Sequence, residues 1–108
     1  MARNSLLYIA TQNPEKPAIM VATLDTETGA LSAPRLAIET RDPAHFTLSG
    51  DGRHLYLCNT GTPGGVSAFA VKDGKAGTLE FLNYLESKGR GPSYISIDGS
   101  GRYVLDAN

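Results

Sequence analysis

The chain has 108 residues, 41% of them apolar, which is enough for one packed domain. Ten basic against eleven acidic residues, for a formal charge of −1, leave no basic footprint for nucleic acid. No window approaches the roughly 20 apolar residues that span a bilayer, and a single cysteine excludes an internal disulfide or a cysteine-clustered zinc site.

The first segment, "MARNSLLYIATQ", has one arginine, no apolar leader core and no small-residue cleavage site. The expectation is a cytoplasmic protein, or an exported one whose leader precedes this numbering. Within it, "LLYIAT" (6–11) reads as a strand, followed by "AIMVATLDTETGALS" (18–32), a second strand running into a turn. "HFTLS" (45–49) alternates side-chain character as a half-buried strand does. "SGDGR" is tight-turn chemistry, with glycine supplying positive φ. "HLYLCN" (54–59) and "GVSAFAVK" (65–72) are the next strands, and Cys58, inside an apolar run, reads as a small core residue rather than a nucleophile. After a turn at "DGKAG" (73–77), "TLEFLNYLE" (78–86) fits a strand better than a helix, given its aromatic content and the glycine-bearing turn before it. "YISID" (94–98), the turn "DGSGR", and "YVLDAN" (103–108) complete the series.

Two of these stretches nearly coincide: "PAHFTLSGDGRHLYLCN" (43–59) and "PSYISIDGSGRYVLDAN" (92–108), 49 residues apart. "LLYIAT" falls on "HLYLCN" at an offset of 48, and 18–32 resembles 65–81. A fixed period in this range marks stacked repeats. Four short antiparallel strands per repeat fit the blade of a β-propeller. With strands A to D numbered from the inside outward, the chain reads B-C-D, A-B-C-D, A-B. The expected fold is therefore all-β: about two and a quarter blades, with repeats near 1–40, 41–89 and an incomplete 90–108. Such a piece leaves a blade face bare at each end, so residues 1–108 are expected to be the N-terminal part of a single larger propeller domain. A ring assembled from copies of the chain is the less favoured alternative, because the repeats have diverged.

The order "LLYIAT…TLDTETGALS", "RDPAHFTLSGDGRHLYLCN…GGVSAFAV", "GRGPSYISIDGSGRYVLDAN" resembles the opening of the seven-bladed lactonase propellers. This is the propeller-type 6-phosphogluconolactonase family, which also holds the carboxy-muconate cyclases. The resemblance covers essentially the whole chain and implies a parent of about 340 residues, seven blades of about 48 each. It further implies a hydrolase of carbohydrate metabolism acting on a small-molecule sugar lactone without a cofactor. Its proposed catalytic residues lie in later blades, so no catalytic residue carries over and the chain alone is expected to be inactive. The sequence departs from the pattern at Ser93 and Tyr94, where members commonly carry a Cys-His pair, and at Asp106, where an apolar residue is usual. A non-catalytic propeller that binds a protein or carbohydrate, and a carboxy-muconate cyclase, are the competing functions.

By the rule that the D-to-A and B-to-C loops line a propeller's binding mouth, residues 11–17, 39–45, 59–65 and 86–94 form the ligand side. Arg41, Lys88 and Arg90 are candidate cations for a phosphorylated or carboxylated lactone, against the plainer reading of solvated loop charges. His45 and Tyr94 begin equivalent inner strands and are candidate channel-facing groups; a structural histidine is the competing reading. Asn59 and Asn108 recur at the end of strand B and read as loop caps. Arg53, Arg102 and their turns read as hairpin chemistry alone. Two scattered histidines and isolated carboxylates give no metal-ligand spacing. The sequence does not set the oligomeric state.

Overall fold

A computed structural model describes residues 4–74 and 76–108. Among them are nine strands and no helix: β1 (Asn4–Thr11), β2 (Ala18–Asp25), β3 (Arg35–Glu39), β4 (Pro43–Leu48), β5 (His54–Asn59), β6 (Gly65–Val71), β7 (Leu79–Glu86), β8 (Tyr94–Ile97) and β9 (Val104–Ala107). They form three antiparallel sheets in chain order, β1-β2-β3, β4-β5-β6-β7 and β8-β9. The ambiguous stretch at 78–86 is a strand, paired with β6 from Val71↔Leu79 to Gly65↔Glu86 with one bulge. The turn expected at 73–77 includes Lys75, which lies outside the described residues.

Period-two alternation decides which face of each strand packs where. On β5, Leu55 and Leu57 are fully buried. They join Ile19, Phe69 and Leu79 in one apolar cluster, flanked by Tyr8, Ala37, Ile38, Phe46 and Val71. Since Ile19, Tyr8, Ala37 and Ile38 belong to the first sheet, the core is the seam between the first two sheets. Each such Leu or Phe contributes about 1.5–3 kcal/mol by leaving water. Polar contacts finish the seam: the Tyr8 hydroxyl donates to Gly77 O at 2.8 Å, and Arg35 Nη2 donates to Ala76 O at 2.7 Å. Burial pushes the Tyr8 phenol above its ordinary pKa, with the Arg35 charge pulling it back in part.

The opposite face of β5 carries Tyr56 and Cys58 toward the third sheet, whose β8 packs on β4 and β5. Cys58 is fully buried, and its thiol is pushed up to about 11, first by burial and second by the negative Asp106. That state is a neutral core thiol, as its apolar setting in the sequence suggests. Asp106 Oδ2 is buried without a hydrogen-bond partner among the described residues and borders a cavity of about 310 Å³ with Tyr56, Val66, Asn83 and Val104.

Antiparallel succession sorts the connections into two ends. Residues 12–17, 40–42, 60–64 and 87–93 gather at one end; 26–34, 49–53, 72–74 with 76–78, and 98–103 gather at the other.

Candidate functional site

The first of these ends is the candidate ligand face. Its geometry begins with Asn59, 2% exposed at the close of β5. Asn59 Nδ2 donates to Arg41 O at 2.6 Å, and its Oδ1 accepts from Ser67 Oγ at 2.5 Å. One amide thus ties β5, β6 and the connection into β4. Asn108, its counterpart, accepts from Ser87 Oγ at 2.7 Å and caps the next connection. Gln12 Nε2 donates to Pro43 O at 2.9 Å, joining the first sheet's loop to the start of β4.

Each connection enters its inner strand through a left-handed residue followed by proline: Asp42 at φ 47° and Gly91 at φ 53°. Aspartate is one of the few side chains that tolerates this region. The alignment of "RDP" on "RGP" is the signal that would have located this turn from sequence. The loops also seat on each other, because a Cβ at Gly64 would lie 2.3 Å from Pro92 Cδ.

Of the five candidate binding residues, two meet. His45 on β4 and Tyr94 on β8 stack with ring centroids 4.3 Å apart and planes 20° apart. His45 Nδ1 accepts the Ile95 backbone N–H at 3.2 Å. The pair bridges two sheets at the inner edge, where β4 packs on β8 and on β1. Arg41 is drawn elsewhere. Its Nη2 donates to Tyr84 Oη at 3.3 Å, its guanidinium lies 5.8 Å from the Tyr84 ring centroid, and its Nε is 3.9 Å from Asp42 Oδ2. This arrangement holds Arg41 against β7, the outer strand, and Tyr84 was not legible as its partner. Lys88 and Arg90 are exposed on the 87–93 connection, and Lys88 takes a left-handed φ of 64°. Neither makes a hydrogen bond or ion pair among the described residues.

The connection that carries these two exposed cations leads into β8, whose first residue is Tyr94 of the aromatic pair. Among the described residues no group of three His, Cys, Asp or Glu side chains is placed to hold a metal ion.

Comparison with known proteins then places the chain. The family described as Lactonase, 7-bladed beta-propeller matches residues 6–108. A 6-phosphogluconolactonase of Bacillus subtilis is 36% identical over 86 residues, covering 79% of this chain and 24% of its own. A 6-phosphogluconolactonase of Formosa agariphila is 28% identical over 107 residues, covering 94% of this chain and 30% of its own. The solved periplasmic gluconolactonase of Pseudomonas aeruginosa superimposes with a TM-score of 0.85 at 25% identity, over 100% of this chain and 31% of that one. The chain therefore spans about a quarter to a third of the length of these relatives, and it belongs to the seven-bladed β-propeller lactonase family.

Proposed function

We propose that this chain is part of a propeller that hydrolyses a sugar lactone, with 6-phosphogluconolactone as the substrate. The observation that carries the reading is the 36% identity to the Bacillus subtilis 6-phosphogluconolactonase. In the reaction, a water oxygen bonds to the ring carbonyl carbon while a base takes its proton. The carbonyl electron pair moves onto oxygen, then returns as the ring C–O bond breaks and the ring oxygen takes up that proton. Lys88 and Arg90 hold the phosphate, His45 and Tyr94 meet the ring, and Arg41 steadies the rim through Tyr84. The base comes from outside the residues described. The protein is cytoplasmic or exported; the periplasmic relative supports export.

The test is an assay of the full-length protein on the phosphorylated lactone, its unphosphorylated counterpart and a carboxy-muconate. Preference for the phosphorylated lactone is expected. Arg90→Ala should raise its KM about five-fold, the loss of one exposed charge contact of about 1 kcal/mol. Turnover of the carboxy-muconate alone would assign a cyclase, and inactivity on all three would leave a binding propeller.

A further inference from the structure

The neutral His45 ring is held in one tautomer by the backbone of the neighbouring sheet. In the β8–β9 ladder, Asp98 N donates to Tyr103 O, and Ile97 pairs with Val104 and Tyr94 with Ala107. The Ile95 N–H stands outside that ladder and points across to β4. His45 Nδ1 takes that N–H at 3.2 Å. A nitrogen that accepts an N–H carries no proton of its own, so the proton of the neutral ring sits on Nε2. The Tyr94 stack at 4.3 Å and 20° fixes the ring plane. Nε2 makes no hydrogen bond among the described residues, and the His45 ring is half-buried rather than enclosed. His45 is the third residue of β4 and Tyr94 the first of β8, which sets both rings just inside the candidate ligand face.

We infer that His45 is a substrate-contacting hydrogen-bond donor, not a general base: its Nε2–H, aimed by Ile95 and Tyr94, holds the carbonyl oxygen of the lactone as negative charge gathers on it. This rests on the lactonase reading above. The basic lone pair of the neutral ring is the one on Nδ1, and the Ile95 N–H already occupies it. A donor fixed before the substrate arrives needs no reorganisation when charge develops, the condition under which such donors act most strongly.

Two conservative variants separate this role from a structural one. His45→Asn offers an oxygen where Nδ1 stood, keeps the Ile95 N–H paired and removes the Nε2 donor. His45→Gln places an amide N–H near Nε2 and gives up the Nδ1 acceptor. In the full-length protein, His45→Asn should leave Tm near wild type and lower kcat/KM for the phosphorylated lactone about 100-fold, the effect of removing one such donor. His45→Gln should lose some Tm yet retain kcat/KM within about ten-fold. Long-range proton–nitrogen NMR of the His45 ring should show the Nε2–H form. Wild-type kcat/KM in His45→Asn, or activity that falls only in step with Tm across both variants, would reduce His45 to a structural clasp. An Nδ1–H spectrum would overturn the assignment directly. No turnover of any lactone by the wild type would overturn the lactonase reading and the ligand named here, while the NMR result would still decide whether Ile95 sets the ring.

Discussion

The two inner hairpins, β4–β5 and β8–β9, solve the same turn with their residues exchanged. In the first, Ser49 precedes Asp51; in the second, Asp98 precedes Ser100. The hydroxyl-to-carboxylate bond survives the exchange, at 2.6 Å from Ser49 to Asp51 and 2.5 Å from Ser100 to Asp98. So do the backbone bonds. The first position accepts the N–H five residues on, from His54 to Ser49 at 3.1 Å and from Tyr103 to Asp98 at 2.8 Å. The second accepts the N–H two residues on, from Arg53 to Asp51 at 3.0 Å and from Arg102 to Ser100 at 3.3 Å. The turn requires one carboxylate and one hydroxyl, and it is indifferent to which comes first. Repeats keep an interaction, then, where a residue-by-residue alignment records two mismatches.

The outer turns show how far such equivalence reaches. Gly29 and Gly77 both donate to the carbonyl four residues back, Asp25 O and Asp73 O, and both have positive φ, 79° and 74°. Gly29 has nothing within 4 Å of an added Cβ, whereas at Gly77 that atom would sit 2.9 Å from Val21 Cγ2 and 3.0 Å from Leu6 Cδ1. Gly29→Ala should therefore cost about 1 kcal/mol, the left-handed penalty alone. Gly77→Ala should cost about 2–4 kcal/mol, because crowding at the seam of the first two sheets adds to it. Equal losses in urea unfolding would show that backbone strain alone matters at both turns.

A smaller effect tests the exchanged hairpins themselves. Ser49→Asp sets two carboxylates against each other, and Asp51→Ser leaves two hydroxyls; each alone should lower the urea midpoint. The double variant, which rewrites the first turn in the order of the second, should recover it. A double variant as unstable as the sum of its parts would mean that the order matters after all.

The smallest expected effect is on acid stability. The Ser49 hydroxyl, then the Arg53 N–H, holds the Asp51 carboxyl below its usual 3.8, and the Ser100 hydroxyl, then the Tyr103 N–H, does the same for Asp98. A carboxylate with a lowered folded-state pKa stabilises the fold above about pH 4. That contribution is lost as pH falls through the folded values. Urea midpoints measured from pH 5 downward should fall less steeply for Asp51→Ser than for wild type, and the exchanged double variant should regain the wild-type slope.

The strands, their order and their grouping were legible because the repeat and the two-residue alternation encode them locally. Asn59 was legible as a cap because Asn108 repeats it. The meeting of His45 and Tyr94 was half legible: the repeat makes them equivalent, and equivalent residues of successive inner strands are neighbours. Their stacking and the Ile95 N–H were not, since the packing of β4 against β8 decides them. Arg41 illustrates the limit. Its hold on Tyr84 joins residues 43 apart without any periodic signal, so charge and loop position alone suggested a ligand-binding cation or a solvated loop charge.

The seating of Gly64 on Pro92 has a further consequence. The 60–64 and 87–93 connections are joined by backbone bonds, from Ser87 N to Gly64 O at 3.0 Å, from Gly64 N to Gly89 O at 3.3 Å and from Gly91 N to Gly61 O at 3.5 Å. Loops laced in this way have surrendered their freedom during folding, so a small molecule arriving at the rim has little left to immobilise. Preorganisation of this kind is felt in residence time more than in the rate of encounter. Under the proposed lactonase reading, affinity at this rim then depends on both connections, because they share these bonds.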